Sequence, residues 1–386
     1  MCLPGGATLS TDPQKPTLSA TAAALTLGCI GLLMLGLQPL VLGALLEAHR
    51  LTVTSLSLAA TLELLTLGLV SAIMGGALPH RRLRVWAGLG VLILAGADAA
   101  GVMISDMGFV ATRAGAGIGG GILLWVAIGL ITLSAAPGRL TALFLASQAA
   151  SQGITAVVLP ATVMAAHGAN GALAAMAAVT LLTAALVPAL PAGLPPPPRP
   201  AGGHGRIPLA GWLGLAATFC QLAAIIGLWV FLIPIARRAG VAPAIAQYAA
   251  AVGLGAQMVG ALCASALAER LPPARSLAAG VVALLVCVAV MGAHAGDAAF
   301  MAATAGFGFL WMASLPFLVP LLIRVDPSRR SALLIAGAQL LGGAAGPVVM
   351  SLFATDANVT PVLWLSAGLL GAAVVLVGMA GRRHAV

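Results

Sequence analysis

Three charged side chains stand inside long apolar stretches of this 386-residue chain: Glu63, Asp98 and Arg113. Two acids and one arginine held away from water can form an ion pair, and an acid that gains and loses an arginine partner releases and loads a proton. The stretch that opens on Arg113 is rich in glycine. Gly115, Gly117 and Gly120 spell G-x-G-x-x-G, the spacing of a dinucleotide-binding loop. Such a loop needs a strand before it, a helix starting at it and an acid about 20 residues later. Here both flanks are apolar helix, and the next acid after Asp106 is Glu269. The glycines therefore read as small faces for close helix packing, with Gly117 and Gly120 stacked below Arg113.

The elements that must hold these residues follow from composition. The chain is 61% hydrophobic and 7% charged, against about 25% charged for a soluble domain. Apolar runs of roughly 20 residues recur from end to end, the signature of membrane spans. They do not alternate polar and apolar as barrel strands do, so the expected fold class is an all-α membrane protein. Five cysteines (Cys2, Cys29, Cys220, Cys263 and Cys287) lack metal-ligand spacing, and no metal or cofactor is expected. The net charge of +9 belongs to loops between apolar runs, so it reads as topology rather than as nucleic-acid binding.

Twelve spans are expected, at about 18–46, 52–77, 85–104, 107–133, 139–165, 171–191, 209–236, 243–268, 275–294, 298–323, 330–353 and 360–381. Residues 1–17 read as an N-terminal tail, 18–191 as a six-helix bundle, 192–208 as a Pro/Gly-rich linker, 209–381 as a second six-helix bundle and 382–386 as a C-terminal tail. With the N-terminus inside, cytoplasmic segments carry 14 Lys/Arg and outer segments carry 3 (Arg50, Arg237, Arg238), leaving Arg113 in the membrane. That bias places both termini in the cytoplasm.

The halves repeat at an offset of 191 residues. Cys29 falls on Cys220, Arg84 on Arg275, Asp106 on Asp297, Phe109 on Phe300, Gly115 and Gly117 on Gly306 and Gly308, and Gln148 on Gln339. Arg113 falls on Thr304, so the buried charge belongs to one half only. Two parallel six-helix repeats joined by a cytoplasmic linker resemble the major facilitator superfamily of secondary transporters, over residues 18 to 381. The family's loop between helices two and three carries G-x-L-a-D-R-x-G-R-R. Here it reads "GALPHRRLR", with Gly76, Arg81 and Arg84 matching in type and His80 in the place of the Asp. In the second half, Glu269-Arg270 takes the Asp-Arg place. Arg113, Gly117 and Gly119 match the R-x-x-Q-G-x-G pattern of helix four in proton-driven members, with Ala116 replacing the Gln. Antiporters of the drug-efflux type often carry a Gly-rich G-P pattern on helix five; here helix five has Gly153 and an isolated Pro160, and "GGAAGP", Gly342 to Pro347, stands on helix eleven instead.

The resemblance implies a substrate cavity between the halves at mid-membrane. The polar and aromatic residues for it are Gln38, Gln148, Gln152, Gln221, Trp229, Trp311 and Gln339, and interhelical hydrogen bonding is the alternative role for each glutamine. A rise of 1.5 Å per residue puts Asp98 and Arg113 at one depth, roughly 10 Å below the outer end, and Glu63 roughly 16 Å down. Arg113 can then reach either acid. A switchable pair carries a coupling proton, with Glu63 the better carrier; a static pair only locks helices two, three and four. Alternatively, Asp98 lies near enough to the surface to be solvated. The function expected is alternating-access transport of a small, mostly uncharged or amphipathic organic molecule across the inner (plasma) membrane by a monomer, as proton-coupled efflux. Proton-coupled uptake of a monocarboxylate is the alternative. A membrane-embedded enzyme would need acids, histidines or a nucleophile clustered with a base, and here they are scattered through loops.

Overall fold

The computed structural model describes residues 17–77, 82–134, 137–193, 207–267, 270–326 and 330–382. Lipid offers the backbone no hydrogen-bonding partner, and the described chain is helical, with no strand among its elements. The first half comprises α1 (Leu18–Glu47), α2 (Val53–Ala77), α3 (Leu83–Met103), α4 (Asp106–Thr132), α5 (Pro137–Ala161) and α6 (Val163–Ala189). The second comprises α7 (Leu209–Val230, continued by Leu232–Arg238), α8 (Ala249–Leu267, entered by the turn Pro243–Ala246), α9 (Pro273–Gly292), α10 (Asp297–Val325), α11 (Ile335–Ser351, entered by Arg330–Leu333) and α12 (Thr360–Arg382). Eleven are long and apolar enough to cross a membrane, and Ile335–Ser351 is a shorter apolar helix. The pairs α2–α4, α3–α4 and α3–α6 of the first half recur as α8–α10, α9–α10 and α9–α12 of the second.

The glycines of α4 are what let it sit at the centre of its half. A Cβ on Gly120 would lie 2.5 Å from the Gly31 carbonyl of α1, and one on Gly121 2.5 Å from the Leu67 carbonyl of α2. One on Gly119 would lie 2.6 Å from the Leu94 nitrogen of α3, and one on Gly117 would run into the Thr66 hydroxyl and the Glu63 carbonyl. Across that last contact the Thr66 hydroxyl donates to the Ala114 carbonyl at 3.0 Å. The repeat mate Gly308 meets the Gly253 carbonyl of α8 in the same way. The G-x-G-x-x-G stretch is thus a three-sided packing surface.

The two halves meet along α2–α11 and α5–α8, with the second part of α1 against α7 and α8. The α2–α11 seam starts at the end of the bundle that carries residues 48–52, where the Val53 amide donates to Asp356 at 2.6 Å. It continues through the Thr61 hydroxyl, which donates to the Ala344 carbonyl at 2.7 Å, and through Gly343 packed against Leu64. An ion pair between Glu47 and Arg237 closes the same end. The first part of α1, Leu18–Gly31, packs instead on α4, α5 and the end of α6, all in its own half.

One pair of boundaries departs from the sequence expectation. The fifth span ends at Ala161 and the sixth begins at Val163, so the turn lies at Thr162 (φ −125°, ψ −99°) rather than after residue 165. The "HGANG" stretch that reads as a loop lies inside α6, where Gly168 takes φ 57° and kinks the helix. Arg81 and Glu269 lie outside the described residues, as does most of the expected 192–208 linker.

Gly117→Ala should destabilise the protein by about 1–3 kcal/mol, the usual cost of overpacking. Gly115→Ala, whose Cβ would sit 3.7 Å from Ala97, should leave thermal unfolding in detergent unchanged.

Candidate functional site

Arg113 is completely buried, Asp98 and Glu63 nearly so. Each charge at mid-helix costs about 2.5–3.5 kcal/mol to insert, so opposite charges must find one another. The turn between α3 and α4 returns the chain beside itself and sets Asp98 level with Arg113. Arg113 Nη2 donates to Asp98 Oδ1 at 2.7 Å. From α2, Glu63 Oε1 stands 3.7 Å from Arg113 Nη1, and Gln38 Nε2 of α1 donates to Glu63 Oε2 at 3.5 Å. The Phe109 ring, one turn before Arg113, lies 5.3 Å from the guanidinium carbon, a favourable cation–π distance. Asp98 is therefore the hydrogen-bonded partner and Glu63 the looser one. Arg113 Nε and Nη1 and Asp98 Oδ2 make no hydrogen bond. With every group ionised, the cluster holds one positive charge against two negative.

A second arrangement links α1 to the other half. Pro39 has no N–H, so the Leu35 carbonyl one turn earlier has no helical partner. Trp229 Nε1 of α7 takes that carbonyl at 3.3 Å. The Trp229 ring also meets Trp311 of α10 edge-on, with centroids 5.7 Å apart. A few residues further back, α1 breaks at Leu32, and Gln152 Nε2 of α5 donates to the Leu32 carbonyl at 2.7 Å. α1 thus carries a tryptophan bond from the opposite half and, three residues later, the glutamine that touches the charge cluster.

The remaining expected site residues divide into two groups. Gln221 is buried and donates to the Ser314 hydroxyl at 2.7 Å, while Gln38, Gln152 and Trp229 are buried with the partners given above. Gln148, Trp311 and Gln339 are half-buried. Of the loop residues, Gly76 lies in the last turn of α2 and Arg270 is exposed after α8. Arg84 Nε donates to the Leu190 carbonyl at 2.6 Å. Phe109, Thr66 and Ser314 escaped the sequence reading. A signal for the Trp229 contact was present, since an intrahelical proline always strands the carbonyl four residues before it.

No protein-family profile and no curated protein sequence matches the chain. Among solved structures, the crystal structure of FucP, a Major Facilitator Superfamily transporter in the outward conformation, is similar with a TM-score of 0.59 at 17% identity. The match covers 93% of this chain and 98% of that one. The chain has the major facilitator fold. Here the bundles meet along α2–α11, α5–α8 and the second part of α1 against α7 and α8. The charge cluster accordingly lies just behind the interface in the first bundle, and the tryptophan pair lies at it in the second.

Removing Arg113 strands two buried acids, so Arg113→Gln should destabilise the protein by about 3–5 kcal/mol. The triple variant Glu63→Gln/Asp98→Asn/Arg113→Gln should regain most of that in the same unfolding measurement.

Proposed function

We propose that the chain is a secondary active transporter that works by alternating access. It moves a small, mostly uncharged or amphipathic organic molecule across the inner (plasma) membrane as a monomer, with proton-coupled efflux as the direction of work. The observation that carries this reading is the buried cluster of two carboxylates around one arginine, in a protein with a transporter fold. The cluster holds one negative charge in excess, the amount that one coupling proton would neutralise. Glu63 is the better carrier, because it is held at 3.7 Å and contacts Gln38 of α1. The unused guanidinium hydrogens favour a cluster that re-pairs over one that only locks helices. Arg113 is already engaged by two acids, which disfavours it as the anchor of a carboxylate substrate and so disfavours monocarboxylate uptake.

With the N-terminus inside, the end that carries Glu47–Arg237 and the Val53–Asp356 bond faces out, and these two contacts tie the halves together there. Substrate then enters beside Gln148, Gln339 and Trp311. Movement of α7 against α1 breaks the Trp229–Leu35 bond and shifts Gln38 against Glu63, which ties the open end to the protonation state.

Proteoliposomes loaded across a panel of neutral and amphipathic compounds test the coupling. Flux should respond to an imposed pH gradient, and Glu63→Gln should keep downhill exchange while losing accumulation against a gradient. A Glu63→Gln protein that still pumps uphill with unchanged pH dependence overturns the assignment. Trp229→Phe keeps the ring and removes the cross-bundle donor, worth about 0.6–2 kcal/mol. Spin labels at His49 and Ala357, which line one cavity across the seam, should then report a larger outward-open population.

A further inference from the structure

At the basic end of the second bundle a cavity of about 840 Å³ opens between α9, α10 and α12. Two arginines line it, Arg275 in the first turn of α9 and Arg324 in the last turn of α10. Both are exposed, and neither has a hydrogen bond or ion pair among the described residues. Among the described residues no acid lines the cavity; its other walls are Ala274, Ala278, Leu321, Val325, Val377 and small or apolar neighbours.

The internal repeat shows what this space lacks. Arg84, the mate of Arg275, is held by the Leu190 carbonyl, and the neighbouring Leu83 amide donates to Ala192. The corresponding notch of the first bundle is packed by Leu186, Val187 and buried Leu190. At the 191-residue offset these three become Val377, Gly378 and Gly381, which line the open cavity. The second bundle lacks the side-chain bulk that fills the first, no bond like that of Arg84 holds Arg275 among the described residues, and a second cation is added, since Arg324 falls on Leu133.

We infer that this cavity is a binding site for an anionic phospholipid, with its phosphate between Arg275 and Arg324 and an acyl chain along Ala278, Leu321 and Val377. The charges sit in terminal helix turns, at headgroup level, and the apolar wall runs from them toward the middle of the spans. That arrangement fits a lipid, whose charge and chain lie in the same order, better than a free phosphate. A basic pocket between spans on the cytoplasmic side suits such headgroups.

The test uses the full-length protein in detergent, titrated with fluorescent phosphatidylglycerol and, separately, with fluorescent phosphatidylcholine. Phosphatidylglycerol should bind more tightly, and at low salt Arg275→Gln/Arg324→Gln should weaken it by about 30-fold, as expected for two basic residues at a bilayer surface. Gly378→Leu refills the cavity without touching either charge and should also weaken binding, whereas Arg270→Gln, outside the cavity, should not. The Gly378 variant decides the matter if the double variant fails to fold. The proposal is overturned if the cavity variants bind phosphatidylglycerol like the parent protein. Displacement of the lipid by soluble glycerol phosphate at comparable concentration also overturns it, since the occupant would then be the free anion.

Discussion

A hydrocarbon environment supplies no hydrogen bonds, so every polar group that the sequence places in a span must find its partner within the protein. Backbone groups solve this by forming helices. The exceptions then dictate the architecture. Pro39 frees a carbonyl and Trp229 takes it; at the break the Leu32 carbonyl accepts from the Leu35 amide and also from Gln152. Gln221 turns to Ser314, and Arg113 gathers two acids from two helices. Each of these side-chain contacts joins different helices, and the tryptophan bond joins different bundles. The polar residues of the spans are therefore also the joints of the fold.

The joints differ in how completely they are made. Asp98 holds Arg113 at hydrogen-bond distance, while Glu63 stands about an ångström further off and leans on Gln38. A pair made solely for stability would gain from closing that gap, because an unpaired buried charge is more costly than a buried pair is helpful. The loose acid is also the one whose neighbour, Gln38, rides on the helix that the opposite bundle grips. The contact to the charge cluster and the bond to the opposite bundle thus both fall on one helix, α1, over residues 35 to 39. The arginines at the two ends of the bundle also divide. Arg50 caps the end of α3 through the Gly101 and Ile104 carbonyls, and Arg237 pairs with Glu47. Arg275 and Arg324, at the other end, are left to meet whatever lies outside the protein.

Much of this was legible in the sequence. Helical spans follow from apolar run length, the reading of Gly115 to Gly120 as packing surface follows from their flanks, and the shared depth of Asp98 and Arg113 follows from helical rise on either side of one turn. Other features were hidden for physical reasons. A proline one residue before the end of a helix, Pro160, and a kinking glycine in the next look alike in one dimension, which is why the sequence places the α5–α6 turn near Gly168 and the structure places it at Thr162. The buried roles of Gln152 and Gln221 depend on which carbonyl or hydroxyl lies opposite, and that is set by packing between distant segments. Hydrophobicity alone cannot tell a glutamine that serves a cavity from one that satisfies a neighbour.

The close approach at Gly117 recurs at its mate Gly308, while the groups beside them do not match: Arg113 answers to Thr304, and Gln38 to Trp229. In evolutionary terms, the two copies have kept their scaffold in common and parted in their machinery. A protein assembled from two first halves would have the glycine surfaces needed for both bundles. It would carry two charge clusters and have no indole to grip the stranded carbonyl on either side.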